Sequence, residues 1–270
     1  MFTEFSYDFG GVRHYVNVPP GNANGEQFII LCGSVEPRVR CEITVHSQHL
    51  MDYFDILVKP YWAPRGASHF LHLVRNNYYN GVAFNRVVPG FLTQFGIAKD
   101  YNMRMERRDD KIWDDFPIEG MRFEPGFISF AGSGFDSRTT EIFIVDPAAS
   151  EEQLRAFGAN TWETPFAVIA GDVRASAVPK IYSGYGDMPP WGNGEIALSH
   201  RDVYTSVCFT NDLSLSINFT SLLGPDPSRI YDADGYTFYL LTNFPKLDYI
   251  DRCYIIDELG ADKNISQGEF

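Results

Sequence analysis

Apolar and polar positions fall into short alternating runs, and the clearest run is the fourteen-residue stretch from Ala83 to Gly96. Phe84, Val87, Val88, Phe91 and Leu92 are aromatic, β-branched or aliphatic, and Pro89-Gly90 interrupts them. Such residues suit a half-buried pleated surface, so the stretch predicts strand, tight turn, strand. Period-two alternation sets Phe84, Arg86 and Val88 on one side and Asn85 and Val87 on the other, and Leu92 shares a face with Gln94. Similar short runs predict strands at 14–18, 27–32, 41–45, 54–58, 126–134, 141–146 and 253–256. Helical spacing is scarcer. Ala67, Phe70, Leu71 and Val74 lie at i, i+3, i+4 and i+7, with Pro64 suited to the first turn, and predict one helix packed on a core. His69 and His72 fall off that stripe and are expected at the surface. Ser150 and Gln153 form a capping box for a short helix over 151–157. Residues 100–120 read as a long charged surface loop, and 204–209 with 213–217 as a hairpin.

The run at 83–96 also carries candidate chemistry. It sets a guanidinium, Arg86, and a carboxamide, Gln94, among aromatic and aliphatic side chains, where polar groups cost free energy unless hydrogen-bonded. A snorkelling Arg86 on a plain strand pair is the alternative reading.

Composition narrows the class. At 270 residues, 44% hydrophobic and 15% aromatic, the chain can bury a large core. A net charge of −13 argues against nucleic acid as partner, because phosphate tracking needs clustered Lys and Arg. No run of about 18 apolar residues is present to span a bilayer, and Met1–Phe5 lacks the character of a signal peptide. The compartment stays open between the cytoplasm and a secretory lumen. Sequons at Asn218 and Asn264 and four dispersed cysteines fit either, the cysteines as buried thiols or as one or two disulfides. A metal at His46, His49, His69 or His72 would need further ligands that the pattern does not supply; no metal and no cofactor are expected.

Phe84-Asn85-Arg86-Val87-Val88-Pro89-Gly90-Phe91-Leu92-Thr93-Gln94-Phe95-Gly96, preceded by 63–70 and Tyr78-Tyr79-Asn80-Gly81, resembles the signature of the cyclophilins, a family of peptidyl-prolyl cis–trans isomerases. The resemblance extends over roughly 52–256. It implies a mainly β fold: a closed, eight-stranded antiparallel barrel capped by two helices, the second over 174–182 and shortened by Pro179. Around it are expected an N-terminal β extension (1–50) packed on the barrel domain (51–260, with an insertion over about 195–229 that has no counterpart in the family) and a tail (261–270). Arg86, Phe91 and Gln94 would be catalytic, and Leu92, Ala131, Gly132, Glu141, Phe143 and Trp162 would bind substrate. The partners implied are proline-containing segments of client proteins, met by a monomer.

Several positions depart from the family's pattern. Asn85 stands for the usual histidine, Gly132 for an asparagine and Glu141 for a glutamine. No histidine lies between His72 and His200 to form the pocket rim. Glu141 is expected to attract Arg86 and restrain it. The function implied is isomerisation of X–Pro bonds with reduced or narrow activity. The alternative is a catalytically weak or inactive module that binds proline-containing segments.

Overall fold

The computed structural model describes residues 3–9, 12–18, 36–45, 50–189 and 224–257. The strands read at 27–32 and in the insertion, both sequons, Cys32 and Cys208 lie outside these residues. Two units are present, Met1–Cys32 and Gly33–Phe270. In the first, β1 (Thr3–Phe9) and β2 (Val12–Val18) form an antiparallel pair in register from Thr3↔Val18 to Phe9↔Val12.

The second unit is built on one antiparallel sheet. Its strands are β3 (Arg38–Val45), β4 (Leu50–Val58), β5 (Arg86–Val88), β6 (Leu92–Phe95), β7 (Phe127–Phe130), β8 (Ile142–Val145), β9 (Ala167–Ile169) and β10 (Tyr249–Asp257). They run in the order β10-β3-β4-β9-β7-β8-β6-β5. β3, which falls within the first fifty residues, is thus the second strand of the main sheet, opposite β4 from Arg38↔Leu57 to Val45↔Leu50. Cys41 faces Cys253 across β3 and β10, and the two form a disulfide.

The curled sheet stops short of the expected closed barrel, because the edge strands β5 and β10 are not paired. β5 is only three residues long and ends at Pro89, which has no N–H to donate. The edges meet instead just upstream of β5. Gly81 N donates to Ile250 O (2.7 Å), Ile250 N to Val82 O (2.8 Å) and Phe84 N to Asp248 O (3.1 Å). Regular alternation therefore begins at Arg86, not at Phe84. The Phe84 ring lies in the main core, 5.2 Å from Phe95 and 6.4 Å from Phe54 between ring centroids.

Helix α1 (Pro64–Arg75) buries Ala67, Phe70, Leu71 and Val74 as the stripe predicts. It buries His69 as well, contrary to expectation. The apolar face is wide enough to take that ring against Phe130, and its Nε2 lies 2.7 Å from Thr139 O, which satisfies a polar atom that burial would otherwise strand. The stretch read as a loop after residue 100 contains α2 (Tyr101–Arg107), capped by Asp100, whose side chain accepts from Met103 N. Its charged look came partly from Arg104, which is buried, donates to Lys99 O and Asp232 O, and lies over the Tyr101 and Tyr236 rings. α3 (Glu151–Ala156) has both capping-box bonds. The second capping helix is replaced by two 3₁₀ turns, Val173–Ala175 and Val178–Lys180. Pro179 cannot continue an α-helical ladder, and the Ser176 hydroxyl takes the Val173 carbonyl for itself (2.7 Å). α4 (Pro227–Ile230) and a π-helical turn (Gly235–Leu240) complete the described elements used below.

Candidate functional site

Strand register builds the site. Arg86 on β5 stands directly opposite Gln94 on β6, and Gln94 stands opposite Phe143 on β8. Side chains in one cross-strand row share a face, so three residues far apart in sequence point the same way. Leu92, two residues before Gln94, joins them. The intervening positions Val87 and Ile144 face the main core. The tight turn that sets this register has Gly90 at φ +76°, which favours glycine. At the far end, Gly96 (φ +133°) lets β6 approach the backbone of Thr140 and Glu141 closer than any Cβ would allow.

On the outer face these residues line a cavity of about 180 Å³, together with Phe91, Ala131, Gly132, Ala156, Phe157 and Glu163. Seven of the nine predicted site residues, Arg86, Phe91, Leu92, Gln94, Ala131, Gly132 and Phe143, are brought together there. The apolar wall is a nearly parallel set of rings. Phe157 lies 5.0 Å from Phe91 and 5.3 Å from Phe143, at interplanar angles of 18° and 21°. Phe123 backs Phe143 at 6.2 Å. The guanidinium carbon of Arg86 lies 5.5 Å from the Phe91 ring centroid.

Two predicted residues stand at the margin. Trp162 leans on Gly132: a Cβ at that position would come within 2.6 Å of Trp162 Cδ1 and 2.9 Å of its Cγ. The absent side chain at 132 is therefore space that Trp162 uses. Glu141 sits behind Gln94, whose Nε2 donates to Glu141 Oε2 at 3.0 Å.

The expected pairing of Glu141 with Arg86 is not what the fold makes. Arg86 Nε donates to Asp187 Oδ1 at 2.6 Å and Nη2 to Oδ2 at 3.3 Å, while Nη1 donates to Gln94 Oε1 at 3.1 Å. Gln94 thus separates the two groups that were expected to meet. Burial pushes the Glu141 carboxyl above the usual carboxylate range; bonds from Gln94 and the Tyr231 hydroxyl, and the Arg86 charge, pull the other way.

Asp187, Phe157 and Glu163 were not singled out from the sequence. Asp187 lies 101 residues from Arg86 in a turn-rich loop, and no local pattern marks it. Phe157 ends a helix that the capping box did locate. Glu163 shapes the rim turn by accepting from Gly158 N (2.9 Å) and Asn160 Nδ2 (3.1 Å). Chemically, the groove offers an apolar slot about the size of a small ring, beside a cation held at its edge. No side chain lining the cavity is an activated nucleophile.

Residues 42–159 match the family model described as cyclophilin type peptidyl-prolyl cis-trans isomerase/CLD. The peptidyl-prolyl isomerase CWC27 of Cryptococcus neoformans var. neoformans is 34% identical over 90 residues, which are 33% of this chain and 18% of that protein. A peptidyl-prolyl cis-trans isomerase-like 3 of Dictyostelium discoideum is 33% identical over 86 residues, 30% of this chain and 51% of that protein. The chain thus spans at most about half the length of these relatives. A cyclophilin type isomerase structure from Cryptosporidium parvum covers 50% of this chain and 78% of its own at 18% identity, with a TM-score of 0.39.

Proposed function

From a chain that carries a divergent cyclophilin-type domain, we propose that the groove isomerises X–Pro peptide bonds in proline-containing segments of other proteins. The observation that carries the proposal is the row Arg86–Gln94–Phe143, which sets a cation beside an aromatic slot.

Rotation about an X–Pro bond is opposed by about 18–20 kcal/mol of amide conjugation. Lowering that barrier requires no nucleophile and no proton transfer, only tighter binding of the twisted amide than of either planar form. In this reading the prolyl ring sits against Phe143, Phe91 and Leu92. The substrate backbone lies along Ala131 and Gly132, with Trp162 as the rim beyond. As the amide twists, its nitrogen gains a lone pair, and an Arg86 N–H donates to it. The charge that develops is thus met by a donor already in place. Gln94 holds the guanidinium from one side, and Glu141 supports Gln94. The working unit takes in β3 through β10, with the β1–β2 pair as an extension. The curl of the sheet, sealed at 81–84 and 248–250, serves as the barrel.

A second reading, a module that binds proline segments without turnover, has one observation on its side: the Arg86 charge is already met by Asp187. A protease-coupled assay on a short Ala-Pro peptide separates the two. Exchange faster than the uncatalysed rate, reduced about 10²–10³-fold in Arg86→Ala, supports the isomerase. Saturable peptide binding with exchange at the uncatalysed rate selects the module.

A further inference from the structure

Five N–H groups radiate from a guanidinium, and three of those on Arg86 are committed: two to Asp187 and one to Gln94. One N–H remains on each terminal nitrogen. Both partners are themselves fixed. The Asp187 carboxylate also accepts from Met188 N at 2.8 Å, and the Asp187 carbonyl accepts from Gly224 N at 3.0 Å. The loop that carries it is anchored by Tyr182 N on Asp248 Oδ2 (2.7 Å) and by Lys246 N on the Tyr185 hydroxyl (3.1 Å). The Tyr185 ring also packs edge-on against Phe244.

On the other side, Gln94 presents Oε1 to Arg86 and Nε2 to Glu141. A guanidinium can only donate and an ionised carboxylate can only accept. An amide caught between them has one orientation that satisfies both neighbours. A neutral amide at position 141 could accept or donate, and would leave Gln94 two orientations, one of which turns its NH₂ toward Arg86. Glu141 is held in turn by the Tyr231 hydroxyl.

We propose that Asp187 and Glu141 are positioning residues: from opposite ends of one hydrogen-bonded chain, Asp187–Arg86–Gln94–Glu141, they lock the guanidinium with one donating edge toward the groove. The kinetic consequence rests on the isomerase reading, whereas the lock itself does not. A locked donor acts at the twisted amide and hardly at all in ground-state binding, so its loss falls on kcat and leaves KM nearly unchanged.

The test measures kcat and KM by exchange spectroscopy on an Ala-Pro peptide, alongside the Nε–H resonance of Arg86, assigned by its loss in Arg86→Lys. In the parent that resonance should be shifted downfield and protected from exchange with water. Asp187→Asn should abolish the protection and lower kcat about 10–100-fold, less than the roughly 10²–10³-fold lost when one preorganised donor is removed outright. Glu141→Leu should lower kcat about tenfold. Gln94→Glu alone sets two carboxylates side by side and should be slow as well. The exchange variant Gln94→Glu/Glu141→Gln again turns an acceptor to Arg86, and should recover kcat to within about threefold of the parent. This recovery distinguishes positioning from a general loss of folding, even if Glu141→Leu does not fold. A kcat equal to or above the parent's in Asp187→Asn overturns the proposal, as does a double variant no faster than the slower single one. Should the parent itself not catalyse, the isomerase reading fails, and the resonance alone decides the lock. Protection that is lost in Asp187→Asn supports it, and rapid exchange in the parent overturns it.

Discussion

Gly132 and Trp162 offer a sharp test of how this groove is built. The family resemblance places an asparagine at 132, and restoring one would ordinarily be expected to improve substrate contact. Here a Cβ at 132 meets Trp162 Cδ1 at 2.6 Å, Cγ at 2.9 Å and the Ser137 hydroxyl at 3.0 Å. The first two are well inside van der Waals contact and involve the root of a rigid ring, so the indole must turn away as a whole. Overpacking of this kind costs about 1–3 kcal/mol. Gly132→Asn should therefore destabilise the domain by that amount in urea unfolding. It should also alter Trp162 emission, read as the difference from a Trp162→Phe background. In Trp162→Ala the two shortest contacts are gone and only the Ser137 hydroxyl at 3.0 Å remains, so Gly132→Asn should then cost about 1–2 kcal/mol less than in the parent. The cycle should thus show a coupling of about 1–2 kcal/mol, within the range for contacting residues. Additive effects to within about 0.5 kcal/mol, with unchanged emission, would refute the contact and leave the glycine unexplained.

Glu141 makes stability depend on pH. Its folded-state pKa is raised, chiefly by burial, so between the unfolded and folded values the folded chain holds the extra proton. Stability therefore falls as pH rises through that window. Glu141→Gln should be more stable than the parent at neutral pH and lose the advantage on acidification to about pH 4, where an ordinary Glu protonates; a gap constant with pH contradicts the raised value. The groups that face this carboxylate are Gln94, Arg86, Tyr231 and Tyr78, and burial raises both tyrosine hydroxyls further above their ordinary range, so neither tyrosine titrates between pH 4 and neutrality. Cys41 and Cys253 close a loop of 212 residues, for which chain entropy gives about 5 kcal/mol as the stabilisation. Cys41→Ala/Cys253→Ala should lower the unfolding free energy by roughly 2–5 kcal/mol, and reductant should do the same to the parent but not to the variant. Gly96→Ala, at φ +133° and against the Thr140 and Glu141 backbone, should cost about 2–5 kcal/mol, the sum of left-handed strain and overpacking. A neutral result would contradict the close approach.

What the sequence made legible follows from period. Strand alternation has a period of two, so setting Leu92 and Gln94 on one face needed only local reading, whereas the family resemblance was needed to bring Arg86 and Phe143 to the same site. The helix stripe at 67–74 and the capping box at 150–153 are likewise local signals with a fixed spacing. Asp187 belongs to a loop whose position is set by Asp248, Phe244 and Gly224, all more than thirty residues away, so its meeting with Arg86 has no local trace. The same holds for the buried charges. Arg104 and His69 look like surface residues because charge and polarity suggest exposure, yet backbone carbonyls at Lys99, Asp232 and Thr139 satisfy them inside. Barrel closure failed for a different reason. Pairing of β5 with β10 would need backbone donors where Pro89 follows a three-residue strand, and the seam shifts upstream to 81–84, where Phe84 carried the strand signal but its ring turns into the main core.

The central claim, that this groove seats a prolyl ring against Phe143 while Arg86 faces the amide, is tested most directly by titrating labelled protein with an Ala-Pro peptide and with the same peptide carrying Ala in place of Pro. One set of spectra reads both the protein shifts and the peptide's cis–trans exchange peaks. Shifts should concentrate on Phe91, Leu92, Phe143 and the Arg86 Nε–H, with exchange peaks for the proline peptide and no such response to the alanine peptide. Equal shifts with both peptides, or shifts that leave Arg86 and Phe143 unmoved, would contradict it.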